Sequence, residues 1–69
     1  MMPELDLHGL KHAEVEDKVE NFILTTEPPV RIITGYSDEM KRIVNKLLTH
    51  YEFKFYNPAH NAGETIVTE

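Results

Sequence analysis

The chain contains no cysteine and no tryptophan, and it has seven basic residues against twelve acidic ones. Without cysteine, both disulfide bonds and the cysteine-based zinc sites of small domains are excluded. No apolar run approaches the roughly 20 residues that a membrane-spanning helix requires. Too few residues precede the first strand-like segment for a signal or transit peptide. We therefore expect a cytoplasmic chain with no membrane partner, whose fold depends on its hydrophobic core.

The length of the chain, 69 residues, leaves room for a single small domain over 1–69. Its apolar content of 41% is too high for a disordered chain, so the domain should fold. The oligomeric state has no signature in the sequence, and we expect a monomer.

Two periodicities divide the chain into strands and helices. Polar and apolar residues alternate at the start, which is typical of a half-buried strand, and Gly9 ends that pattern. Apolar residues then recur at three and four residues along two stretches, which predicts two amphipathic helices. Ser37 is a candidate N-cap for the second. The predicted elements are strands over 4–8, 30–34, 52–56 and 65–68, with helices over 12–25 and 38–51.

The predicted order of elements is βαβαββ. Successive βαβ units imply parallel strands joined by right-handed crossovers, and two helices can then lie on one face of the sheet. The opposite face would be open to solvent. The strand over 30–34 is rich in β-branched residues, so we expect it near the centre of the sheet.

Asp6 and His8 are the residues with the clearest chemical potential. They lie two apart in a predicted strand, so both side chains should leave the same face. A carboxylate beside an imidazole can hold the ring, raise its pKa or bind a divalent cation. The alternative is that both are ordinary polar residues of an exposed strand, and that Gly9 and Gly35 serve only their turns.

Three stretches together resemble the Smr (small MutS-related) domain family. The opening Leu5-Asp6-Leu7-His8-Gly9-Leu10 resembles the family's LDLHG motif. Arg31-Ile32-Ile33-Thr34-Gly35 is similar to a second motif, a strand that ends in T-G-x-G. The segment over 57–67 resembles the closing part of the family. The resemblance covers nearly the whole chain, and the predicted βαβαββ order agrees with it.

The resemblance implies a two-layer α/β sandwich with a mixed four-stranded sheet. It also implies nucleic-acid binding, of DNA or RNA, and phosphodiester hydrolysis by a nicking or RNA endonuclease. It assigns the catalytic pair to Asp6 and His8. The resemblance leaves open whether a divalent cation such as Mg²⁺ is a cofactor, and it assigns no residue as a metal ligand. The residues predicted to contact nucleic acid are Gly9, Lys11, Arg31, Thr34, Gly35, Tyr36, Lys41 and Lys54.

The chain departs from the family pattern at two turns. Ser37 stands where the second glycine of T-G-x-G is expected, and the closing glycine-rich turn keeps only Gly63. A net charge of −5 also opposes binding to a polyanion. A binding module without catalysis, docking on nucleic acid or on a protein, is therefore the alternative to an endonuclease. A third hypothesis is an acidic interaction domain whose first helix meets a basic partner.

Overall fold

The computed structural model describes residues 2–69 and contains six elements of secondary structure. They follow the predicted βαβαββ order. The elements are β1 (Glu4–Asp6), α1 (His12–Thr25), β2 (Val30–Ile33), α2 (Asp38–His50), β3 (Phe55–Tyr56) and β4 (Glu64–Val67).

The four strands form one mixed sheet in the order β1-β2-β4-β3. β1 runs parallel to β2, and β4 runs antiparallel to both of its neighbours, β2 and β3. β1, β2 and β3 therefore point the same way, as the two βαβ units predict. The last strand lies between β2 and β3, so β2 occupies one of the two inner positions.

Both helices lie on one face of the sheet and share its core, which confirms the two-layer α/β fold. Each predicted helical stripe supplies buried side chains, while Ile32 of β2 and Leu7, the residue after β1, meet them from the side of the sheet. Ser37 caps α2, where its Oγ accepts a hydrogen bond from the Met40 N–H at 3.2 Å. Neither helix within residues 2–69 is long and apolar enough to cross a membrane.

The strands are shorter or shifted relative to the predicted ranges. β1 ends at Asp6 rather than residue 8, because the chain turns through Gly9, whose φ is +83°. β3 begins at Phe55 rather than residue 52, because Glu52 has a φ of +62° and the Phe53 N–H still bonds Leu48 O of α2. β2 ends one residue earlier than predicted, and β4 is displaced by one residue.

Candidate functional site

Three connections meet at the edge of the sheet where β1, β2 and β3 end. They are the turn after β1 (7–11), the turn after β2 (34–37) and the loop after β3 (57–63), and we call them together the carboxyl-edge surface. The Leu7 N–H donates to Ile33 O at 2.9 Å, which joins the ends of β1 and β2. Gly63 O accepts from Thr34 N and Gly35 N, each at 2.9 Å, which fastens the loop to the second turn. Ligands of open α/β sheets bind at this edge.

Asp6 and His8 lie at the start of this surface, and both are exposed. The expectation that both project from one strand is wrong, because His8 lies in the turn beyond β1. The Asp6 carboxylate accepts a hydrogen bond from the His8 backbone N–H at 2.8 Å. It thereby holds the turn that carries His8, as aspartate does in Asx turns. In this geometry Asp6 positions His8 through the backbone.

Thr34 and Gly35 were predicted to contact nucleic acid, a contact that their backbone amides would make with a phosphate. Both amides instead donate to the carbonyl of Gly63, and the buried Thr34 Oγ1 lies 3.2 Å from the same oxygen. Gly35 has a φ of +69°, a conformation that glycine adopts without strain. A Cβ on Gly63 would lie 3.5 Å from the Gly35 Cα, so the two glycines pack backbone against backbone. These residues fix the shape of the carboxyl-edge surface.

Tyr36 follows this junction and is 80% exposed. The Nζ of Lys41, in the first turns of α2, lies 5.8 Å from the centroid of its ring, a cation–π distance. The pair presents an exposed aromatic ring with a cation over it at the carboxyl edge. Such a pair suits a stacked base and its phosphate.

The first turn of α2 also carries acidic residues, Asp38 and Glu39. The pKa of Glu39 is lowered, chiefly because Arg42 donates hydrogen bonds to its carboxylate, and the charge of His12 acts in the same direction. Arg42 therefore offsets one of the two carboxylates at this helix end.

Lys11 is the N-cap residue of α1 and is exposed. Its side chain makes no cap hydrogen bond, so it leaves the helix N-terminus without a side-chain acceptor. Within residues 2–69 Lys11 and Lys41 make no ion pair, in contrast to Arg31, Arg42 and Lys54. The start of α1 thus adds a second uncompensated cation to the carboxyl-edge surface.

Arg31 and Lys54 lie on the open face of the sheet, as their alternation predicts, but both are paired with carboxylates. Arg31 Nη1 lies 3.3 Å from Glu4 Oε2, and its Nε lies 3.5 Å from Glu64 Oε2. Lys54 Nζ lies 3.4 Å from Glu69 Oε2. Glu64 was not predicted to have a role. It lies on the same sheet face as Arg31 only through the pairing of β2 with β4, for which the sequence has no local pattern.

Away from this edge, a groove of about 320 Å³ lies between the helices. The Tyr51 hydroxyl donates a hydrogen bond to the Glu20 carboxylate beside it. This bond, with burial and the charges of Glu20 and Glu16, raises the pKa of Tyr51. The groove mixes acidic residues of α1 with basic residues of α2, so it has no single charge. Nowhere in residues 2–69 do three or more His, Asp or Glu side chains form a cluster suited to a metal ion.

Comparisons with known proteins find no relative of this chain. No family model matches the chain, no curated protein is similar to it, and no solved structure matches it. The resemblance to Smr domains therefore stays a prediction from the sequence motifs.

Proposed function

We propose that this domain binds single-stranded nucleic acid at its carboxyl-edge surface and hydrolyses phosphodiester bonds there. The observation that carries the proposal is the meeting of two turns. One turn presents the exposed His8 and Lys11, and the other presents the exposed Tyr36 with Lys41 above its ring. An imidazole, two cations and an aromatic face then lie on one surface. The Smr resemblance points to the same residues, and the predicted cytoplasmic location belongs to this proposal.

Single strands fit this surface better than duplexes. An exposed aromatic ring stacks on any unpaired base, whereas the bases of a duplex are already stacked on each other. Tyr36 is held by a turn whose preceding residues are fastened to Gly63, so little ordering is needed when a base binds. Lys41 and Lys11 supply the phosphate contacts from which most affinity for nucleic acid comes.

In the proposed reaction, water adds to phosphorus and the P–O bond to the leaving oxygen breaks. The His8 imidazole is the group that takes or gives the proton at the reacting oxygen. Asp6 is a positioning residue, because its carboxylate holds the His8 backbone N–H. A divalent cation bound with the substrate would stabilise the negative charge that develops on the phosphate oxygens.

The first experiment combines an amide-shift titration with product analysis on gels. Short single-stranded RNA, single-stranded DNA and duplex are added at low salt, with and without Mg²⁺. We expect shifts at His8, Lys11 and Tyr36 with both single strands, together with cleaved product. Shifts without product would support the non-catalytic binding module. The absence of any shift would refute nucleic-acid binding and favour a protein partner, such as a basic partner of α1.

Variants of the turn after β1 separate chemistry from folding. His8→Ala should abolish cleavage and leave the thermal unfolding midpoint unchanged, with His50→Ala, at the far end of α2, as the matched control. Asp6→Asn keeps an oxygen that accepts from the His8 N–H and should retain cleavage, whereas Asp6→Ala removes it and should lose most of the activity. Full cleavage by both alanine variants would refute the catalytic assignment.

Two double lysine variants of equal net charge test where nucleic acid binds. Lys11→Ala with Lys41→Ala removes both cations of the carboxyl-edge surface, whereas Lys18→Ala with Lys46→Ala removes two cations from the middle of the helices. Fluorescence anisotropy with a labelled single strand should show weaker binding in the first pair. The slope of log K against log salt should become shallower by about 1.4, the value for the loss of two phosphate contacts with a single strand. Equal losses in both pairs would mean that binding reflects overall charge alone.

A further inference from the structure

Arg31 is the most restrained cation of the open sheet face. Its guanidinium lies between Glu4, on the neighbouring β1, and Glu64, on the neighbouring β4. The Arg31 side chain is 39% exposed while that of Glu64 is only 11% exposed. The Nε atom of Arg31 is buried and makes no hydrogen bond of good geometry, so its contact with Glu64 is mainly electrostatic. Two carboxylates thus offset this cation before any ligand arrives.

The register places this contact beside the candidate site. Ile33 pairs with Asp6 on one side and with Glu64 on the other, so these two carboxylates stand in one row at the carboxyl end of the face. Arg31 lies two residues behind Ile33 on β2, diagonal to both. Diagonal neighbours in a sheet are about 7–8 Å apart, which a long side chain can span. Arg31 is therefore close enough to serve a phosphate held near Asp6.

We propose that Glu64 withholds Arg31 from phosphate and so limits the affinity of the domain for nucleic acid. This inference rests on the proposed function. A carboxylate and a phosphate present similar oxygens to a guanidinium, so they compete for the same donors. Glu64 is nearly buried and held in β4, so its carboxylate stays beside Arg31 at a high effective concentration. Nucleic acid is thereby confined to the contacts of Lys11, Tyr36 and Lys41.

The test measures binding of a labelled single strand to Glu64→Gln by fluorescence anisotropy. Glutamine has the shape of glutamate and no charge, so Arg31 loses one of its two competing carboxylates. We expect affinity at low salt to rise severalfold, because one arginine–phosphate contact is added. The slope of log K against log salt should become steeper by about 0.7.

Two control variants test whether the gain in affinity depends on Arg31. Glu27→Gln changes the net charge equally at an exposed position after α1, at the opposite end of the sheet, and should leave affinity nearly unchanged. The double variant Glu64→Gln with Arg31→Gln should lose the gain, because the released cation is absent. Circular dichroism melting verifies that each variant folds. If Glu64→Gln does not fold, Glu64→Asp draws the carboxylate back and should give a smaller gain of the same kind.

The outcomes distinguish this inference from the proposed function. A gain confined to Glu64→Gln and abolished in the double variant supports it, including the case in which only the variant binds. Binding by the wild type with no gain in Glu64→Gln overturns the role of Glu64 and leaves the proposed function standing. An equal gain in Glu27→Gln overturns it as well, because net charge then explains the effect. Failure of every variant to bind overturns both.

Discussion

Gly35→Ala is the substitution that most directly tests how the carboxyl-edge surface is held. The φ of Gly35 is +69°, and no heavy atom lies within 4 Å of the place where a Cβ would stand. The cost of alanine is therefore the cost of left-handed backbone alone, about 1–2 kcal/mol. Alanine also reduces the entropy of the unfolded chain, which offsets about 0.4–1 kcal/mol. The free energy of unfolding should fall by about 1 kcal/mol in total.

Thermal unfolding followed by circular dichroism measures this loss. For a domain of this size, 1 kcal/mol corresponds to a midpoint shift of about 4–8 °C. Gly35→Asn is the matched control, because asparagine enters the left-handed region more readily than alanine does. Its midpoint should lie between those of the wild type and Gly35→Ala. An alanine variant that melts with the wild type, or an asparagine variant that melts below it, would refute the strain argument.

The same substitution has a local consequence. Gly35 donates its N–H to Gly63 O and precedes the exposed Tyr36. Strain at residue 35 should therefore move the amide resonances of Tyr36 and Gly63 and leave those of the turn after β1 in place. Gly9→Ala, with a φ of +83° and equally open space, should destabilise the domain similarly but move the resonances around His8. Identical patterns in the two variants would contradict the assignment of each glycine to its own turn.

Three further predictions concern the helices. Ser37→Ala removes the oxygen that accepts from the Met40 N–H and should lower stability by about 1 kcal/mol in urea unfolding. Lys11→Ser should do the reverse, because Lys11 has the extended backbone of an N-cap without a cap bond; a gain of about 0.5–1 kcal/mol should accompany weaker nucleic-acid binding. Tyr51 has a raised pKa, so its bond to Glu20 stabilises the fold below the unfolded value of about 10 and is lost as pH rises through the folded value. Tyr51→Phe should therefore lose less stability than the wild type between pH 9 and 12, as measured by urea unfolding at each pH.

The helices were predictable because their signals are local. Apolar spacing identified the buried faces of α1 and α2, and Ser37 with the acidic residues after it marked the start of α2. The strand limits were less accurate, since they depend on backbone geometry that composition does not encode. The alternation through Phe53 and Phe55 is correct, yet the positive φ of Glu52 delays the strand. The insertion of β4 between β2 and β3 depends on long-range pairing, for which the sequence has no local pattern.

Part of the candidate site was predictable from the sequence, and part was not. The exposed positions of Asp6, His8 and Tyr36 agree with their place in the motifs and turns. The partners of Thr34 and Gly35 could not be predicted, because the Gly63 carbonyl comes from a loop far along the chain. Hydrogen bonds between such segments follow from the packed sheet. The motif resemblance predicted nucleic-acid contacts at these two residues, and the tertiary structure uses their amides to join two loops.

The distribution of charge explains how an acidic domain could meet a polyanion. The net charge of −5 describes the whole chain, but salt at physiological concentration screens exposed charges beyond about 8 Å. A bound strand therefore responds mainly to the charges of the surface that it touches. At the carboxyl edge Lys11 and Lys41 have no carboxylate partner within the described residues, while the cation of Arg31 on the open face is offset by Glu4 and Glu64. Carboxylates thus pair with the cation of the sheet face and leave Lys11 and Lys41 unpaired, and the proposed binding site lies where these two cations are.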